Sequence, residues 1–172
     1  MSQEEIVDIV NENDEVLYQV TKKEAHEKSL LHRTVIAEII DNQGRWALVK
    51  QSASRQDAGQ FVSPVGGHVR AGETVEDALK REAFEEVGLK DFKFRYVGKT
   101  IFNREVLNRK ENHYFIVYEI SSDEDLILNH ESDEYKKFTV DELKAELKNN
   151  PKLFGDSFFA NLKGIYPNIL ST

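Results

Sequence analysis

Glu82, Glu85 and Glu86 stand at i, i+3 and i+4 of a segment that reads as a helix from Thr74 to Val87. Thr74 with Asp77 resembles a capping box, the interior holds good helix formers, and Gly88 supplies the stop. At roughly 100° per residue, Glu85 and Glu86 fall within about 60° of Glu82, on the arc that also carries Val75, Ala78 and Leu79. The acids therefore continue the apolar stripe. Three carboxylates some ~5 Å apart repel by about 3 kcal/mol per pair at an effective dielectric of ~20, so a cation must offset them. Arg81 is one candidate. A divalent ion is the other, and oxygen donors of this kind suit Mg²⁺ or Mn²⁺ rather than Zn²⁺. The plainer reading, a salt-bridged solvated face, is disfavoured by the angular placement and by the glycines that precede the helix.

Other elements must position that helix. Ile6–Val10 and Val16–Val20 flank Asn11–Asp14 as a short hairpin, Lys22–Lys28 forms a helical turn or two, and Arg33–Ile40 and Trp46–Lys50 bracket the turn signal Asn42-Gln43-Gly44. A polar loop, Gln51–Gln60, leads to Phe61–Val65 and the pair Gly66-Gly67. Beyond the helix, Phe92–Val97, Lys99–Val106 and His113–Ile120 read as strands, and Tyr135–Phe138 as a short edge strand. Thr139 with Glu142 opens a helix to about Lys148 that Pro151 stops, and Phe158, Phe159, Leu162 and Ile165 form the stripe of a closing helix. Mixed strands with flanking helices make an α/β protein. No repeat or composition break marks a linker, so residues 1–172 read as one domain.

Composition narrows the function. With 40% apolar and 31% charged residues the chain is ordinary for a soluble globule, and its zero cysteines exclude disulfides, thiolate nucleophiles and Cys-based zinc sites. The acidic start Met1–Glu5 lacks an apolar signal region and no run approaches spanning length, which reads as cytoplasmic with no membrane partner. A net charge of −8 argues against nucleic acid polymers, yet leaves room for a small anion where a metal and local cations reverse the sign. Gly66, Gly67 and Gly72 are followed by no Gly-Lys-Ser/Thr, so no Walker loop is present. His26, His32, His113 and His130 lack HExxH-type spacing and predict no zinc site, and His68 reads as structural. Among Lys50, Arg55, Arg70, Arg104 and Arg109, Arg70 and Lys50 rank first as phosphate contacts. Phe61 either stacks on a substrate base or fills the core, and the second is favoured.

Gly67, Glu73, Arg81-Glu82, Glu85-Glu86, Gly88 and Leu89 reproduce, position by position, the Nudix box G-x5-E-x7-R-E-U-x-E-E-x-G-U, where U is bulky and apolar; only Ala83 is smaller than the pattern asks. The chain thus resembles Nudix proteins, and the resemblance implies an α/β/α sandwich with a mixed central sheet. It also implies Mg²⁺ or Mn²⁺ held by Glu82, Glu85, Glu86 and the Gly67 carbonyl, with Arg81 and Glu73 orienting the cluster. The implied reaction is water attack on a diphosphate linkage in a small, nucleoside diphosphate-linked molecule. Glu82 is the provisional general base, and Glu111, Glu119, Glu131 and Glu134 stay unranked as acids outside the box. A wider layout over residues 4–165, including Ala25-His26, Leu31-His32-Arg33 and Gly66-Gly67-His68-Val69, is similar to the branch that holds isopentenyl diphosphate isomerase. Those isomerases use a cysteine that this chain lacks, so hydrolysis is the expectation. Isomerase-like chemistry and a silent binding module are the alternatives. Relatives often carry Pro-Gly-x-Trp where this chain has Ala58-Gly59-Gln60-Phe61, so their substrates do not carry over.

Overall fold

The structure, a computed structural model, describes residues 4–170. Its centre is the strand β3 (His32–Ile40), buried over most of its length because it is paired on both edges and covered on both faces. Along one edge β3 runs parallel to β8 (Arg109–Ser121), from His32 opposite His113 to Ile40 opposite Ser121. The other edge is shared in turn by three antiparallel partners: β1 (Ile6–Val10), β6 (Val65–His68) and β4 (Trp46–Gln51). Outside these lie β2 (Val16–Thr21) against β1, β5 (Phe61–Val62) and β9 (Ser132–Phe138) against β4, and β7 (Lys93–Val106) against β8.

Alternation along the strands sends side chains to two helical layers. Val35, Ala37 and Ile39 of β3 meet Ala78, Leu79, Ala83 and Val87 of the helix α2 (Val75–Val87). On the opposite side Trp46, Leu48 and Phe138 pack with α3 (Val140–Asn149), α4 (Asp156–Ile165) and the short α5 (Pro167–Leu170). The helix α1 (Lys22–Glu27) closes the β1–β2 hairpin. The architecture is an α/β/α sandwich around a mixed sheet.

Local chemistry sets the borders. Thr74 Oγ1 accepts from the Asp77 amide at 3.1 Å, Gly88 ends α2 at φ 74°, and Thr139 caps α3 through the Glu142 amide at 3.1 Å. One expectation changes. The strands expected at 92–97 and 99–106 are one 14-residue strand, because the register shift between Tyr96 and Gly98 absorbs the irregularity without breaking the ladder. The stretch Phe61–Val65 holds β5 and the start of β6, which pair with different strands. Among the described residues, no helix is long and apolar enough to cross a membrane.

One buried acid sits apart from the cleft. Glu38 is fully buried on the α4 face of β3, where Ser63 Oγ and Asn161 Nδ2 donate to its Oε1 while Oε2 has no partner. Burial pushes its carboxyl up to about 7 against these two hydrogen bonds. A carboxyl whose folded value is raised binds its proton more tightly in the folded state, so its contribution to stability falls as pH climbs from about 4.5 to about 7. Glu38→Gln removes that component. Denaturant unfolding at pH 5 and pH 8 is expected to show the wild type losing more stability than the variant over this range, by at most about 3 kcal/mol. Equal losses would mean that Glu38 does not titrate there.

Candidate active site

Box residues meet at one end of a cleft of about 380 Å³, where α2 faces the β6 glycines. Arg81 is the hinge of the arrangement. Its Nε and Nη2 donate to the two Glu73 carboxylate oxygens, both at 2.9 Å; Nη2 also reaches the His68 carbonyl at 3.0 Å, and Nη1 donates to Glu82. Glu73 is fixed by the Arg70 amide at 3.0 Å. Burial works against the Glu73 charge, but the Arg81 hydrogen bonds outweigh it and hold the carboxyl below its usual range.

Arg81 relieves Glu82 only in part, and Glu86 relies on the Gly66 amide. Burial is the main cause that lifts Glu82 to about 7, and it pushes Glu86 well above the carboxylate range, helped by the Glu82 charge. Glu86 Oε2 accepts from the Gly66 amide at 2.9 Å, and Glu131, from the loop before β9, lies within hydrogen-bonding reach of Glu86. Glu85 stays exposed at the rim, 3.8 Å from Arg81. Crowded, desolvated carboxylates with one guanidinium between them suit a hard divalent cation, and Mg²⁺ or Mn²⁺ fits this donor set. Glu82, Glu85, Glu86 and Gly67 line the same cleft, and Arg81, held by Glu73, braces Glu82.

Of the four unranked outer acids, only Glu131 joins this cluster. Arg55 Nη1 holds its carboxylate at 3.2 Å. Glu111 belongs to a separate network with Arg104 and Arg109, Glu119 pairs with Arg95 and Tyr166, and Glu134 is exposed opposite Lys50. Sequence spacing could not find Glu131, which lies 45 positions beyond Glu86 and arrives by β9 pairing with β4.

Three substrate candidates are elsewhere. Lys50 alternates with the cleft-lining Val49 and Gln51 and so points to the other face of β4. Arg70 is exposed outside the cleft, paired with Glu5 at 3.2 Å. Phe61 is buried against Phe138 and Phe154, while its neighbour Val62 lines the cleft. The cations that do line it are Lys22, Arg55, Arg81, Arg104 and Arg109.

The expectation about histidines needs correction. His26 from α1, His32 from β3, His68 from β6 and His113 from β8 present ring nitrogens all within 4.8 Å of one another; His130 is not among them. His26 Nε2 lies 3.4 Å from both His113 Nε2 and His68 Nε2. His32 Nδ1 bonds the Leu30 carbonyl at 2.8 Å, which leaves its buried Nε2 without a partner. Burial is the leading cause that lowers all four, His26 to about 3, so the rings are neutral and their lone pairs available. Four converging neutral imidazoles suit Zn²⁺ or a similar transition ion. Sequence spacing hid the group because sheet register, His32 opposite His113 and Thr34 opposite His68, assembles it.

Two measurements check this geometry. A Cβ at Gly67 would run into the Glu82 carboxyl, a movable side-chain end, so Gly67→Ala is expected to shift Glu82 and cut Mn²⁺ affinity at least about tenfold with little loss of stability. Unchanged affinity would detach Glu82 from any metal. For the imidazoles, calorimetry should find one Zn²⁺ per chain, with the dissociation constant raised roughly tenfold or more in His32→Ala. Zinc binding that ignores His32 would place the ion elsewhere.

Comparison with known proteins agrees with the box. Residues 30–158 match the family model described as the NUDIX domain. The chain is 29% identical over 165 residues to isopentenyl-diphosphate Delta-isomerase 2 of Photorhabdus laumondii, covering 94% of this chain and 93% of that protein. It is 31% identical over 123 residues to the nucleoside triphosphatase NudI of Klebsiella pneumoniae, covering 66% of this chain and 86% of the relative. An uncharacterized Nudix hydrolase of Streptomyces coelicolor, SCO1686, is 41% identical over 91 residues, and there the chain spans about half of the relative, 49%. In structure the chain resembles DR0079 from Deinococcus radiodurans, with TM-score 0.71 and 26% identity over 90% of this chain and 96% of that one. Box, fold and relatives together place this chain in the Nudix hydrolase family.

Proposed function

We propose that this protein hydrolyses a diphosphate linkage in a small molecule, using Mg²⁺ or Mn²⁺ held by Glu82, Glu85, Glu86 and the Gly67 carbonyl. The observation that carries the reading is geometric: Glu82 and Glu86 of α2 line the cleft against the β6 glycines, Glu86 accepting from the Gly66 amide at 2.9 Å and the Glu82 carboxyl lying where a Cβ on Gly67 would stand. A bound divalent ion would stabilise their charges, lower the pKa of water and neutralise phosphate oxygens.

The side chains have separable tasks. Arg81 spans Glu73 and Glu82 and keeps the acids aimed at the β6 glycines. Glu131, tied to Arg55, brings a fourth carboxylate to the same end of the cleft and is placed, like Glu82, to accept a proton. Water oxygen bonds to phosphorus, the bridging P–O bond breaks with its electron pair on the leaving oxygen, and one proton passes to a carboxylate.

A nucleoside diphosphate-linked substrate draws support from the Klebsiella relative, named a nucleoside triphosphatase. Isomerisation is raised by the Photorhabdus relative, but this chain has no cysteine for that chemistry. A silent binding module would not need the acid cluster intact. A cleft of about 380 Å³ suits a small molecule rather than a polymer.

Glu86→Gln is expected to cut phosphate release by about a hundredfold or more across any accepted diphosphate, while unfolding in metal-free buffer shows equal or slightly greater stability. Chelation of divalent ions should abolish the wild-type activity, and Mg²⁺ or Mn²⁺ should restore it. Full turnover by Glu86→Gln would sink the site assignment.

A further inference from the structure

Asp41, Asp57 and Glu111 are buried acids, and each meets an arginine. Glu38 is 0% exposed and, among the described residues, has no cationic partner. Its contacts are a hydroxyl and an amide: Ser63 Oγ and Asn161 Nδ2 both donate to Oε1, the amide at 2.8 Å. Two atoms are left over. Glu38 Oε2 and Asn161 Oδ1 are buried and have no hydrogen-bond partner. A carboxylate oxygen and an amide oxygen only accept, so no bond can join these two while Glu38 is charged.

A single proton removes both deficits. A neutral carboxyl has a carbonyl oxygen that accepts twice and a hydroxyl that donates. Oε1 already takes two donors and so is the carbonyl; Oε2 is then the hydroxyl, and the amide that donates to Oε1 offers its own oxygen to Oε2–H. Acid and amide close a ring of two hydrogen bonds, with every polar atom of the pair satisfied. The surroundings act in the same direction. Burial opposes the charge and pushes the carboxyl up to about 7, and Glu119, opposite Glu38 in the β3–β8 register, adds a like charge. Glu119 in turn pairs with the exposed Arg95 of β7 and accepts from the Tyr166 hydroxyl at the end of α4.

Loss of that proton would set two acceptors against each other in the interior, and the strain has one outlet. β3 cannot yield, because it is paired along both edges. α4 can: it is held by side-chain packing, Phe158 and Leu162 above all, and by the Gly155 amide donating to the Phe61 carbonyl at 3.0 Å. Ser157, one turn before Asn161, lines the cleft, and its hydroxyl lies 3.4 Å from Asp57. We propose that Glu38 carries a proton on Oε2 and donates it to Asn161 Oδ1, and that losing this proton loosens α4 from β3, so that the α4 wall of the cleft responds to pH. The folded state holds the proton more tightly than the unfolded chain, so the ring is closed on the acid side of about 7 and opens above it.

Infrared difference spectra of the wild type against Glu38→Gln isolate the Glu38 carboxyl from every other acid. Expected is a neutral-acid carbonyl band at pH 5 that is gone at pH 8 and that shifts in Asn161→Ser, where the ring cannot close. Glu38→Gln keeps the fold, since its amide still accepts from Ser63 and donates to Asn161 Oδ1 where the acid did. Amide exchange followed by NMR, corrected for the intrinsic effect of pH, reads the consequence. From pH 5 to pH 8 the protection of Phe159–Leu162 is expected to fall about tenfold or more further in the wild type than in Glu38→Gln, with a smaller difference in β3. A missing band at pH 5, a band that persists at pH 8 or one indifferent to Asn161→Ser overturns the proposal. So does α4 protection that changes alike in the two proteins, or a wild-type loss no larger in α4 than in β3.

Discussion

The bidentate ion pair of Arg81 with Glu73 is the contact on which the cleft depends. It is largely shielded from solvent, with both side chains 16% exposed, and the same guanidinium reaches the His68 carbonyl and Glu82. One side chain therefore ties α2, the turn before it and the last strand residue of β6 into a single unit. Shielding strengthens each of these charge-assisted bonds, and it also makes any missing partner costly. Without Arg81, Glu73 and Glu82 would face each other with no cation between them.

That brace does not extend to Glu86, and the imbalance has a use. A fold that buries Glu86 with the Gly66 amide donating to it disfavours the charged carboxylate, which a bound divalent ion would stabilise. The imidazole cluster is complementary: its rings are stripped of protons by burial, and their nitrogens are turned toward each other with too few hydrogens to satisfy them. Gly67 and His68 are neighbours in β6, so the hard-oxygen site and the imidazole group adjoin along one strand. The two donor sets differ enough in softness to prefer different ions.

Much of this was legible before any coordinates. Helical periodicity set Glu82 and Glu86 on the inward arc, though Glu85, expected beside them, is exposed at its rim, and Thr74 and Gly88 marked the ends of α2, because caps and the 3.6-residue repeat are local properties. Strand faces were less legible. Lys50 and Phe61 were candidates for the cleft, yet each points away while its neighbour lines it, since a one-residue difference reverses the face of a strand. The break expected between Val97 and Lys99 is a bulge within β7, because a paired ladder tolerates an irregularity that a propensity reading treats as an end.

The sequence by itself determined the box helix, the class of ion its acids suit, the absence of any cysteine chemistry and the mixed strand-and-helix pattern, all of which are written in residue type and short spacing. Only the tertiary structure decided which distant residues share the cleft. Glu131 reaches Glu86 through the pairing of β9 with β4, and four histidines separated by 6, 36 and 45 positions converge through α1 and the registers of β3, β6 and β8. Gln56 and Arg109 likewise meet from a loop and a hairpin. Pairing register is set by burial across the whole sheet rather than by the residues it brings together, so no local spacing carries that information.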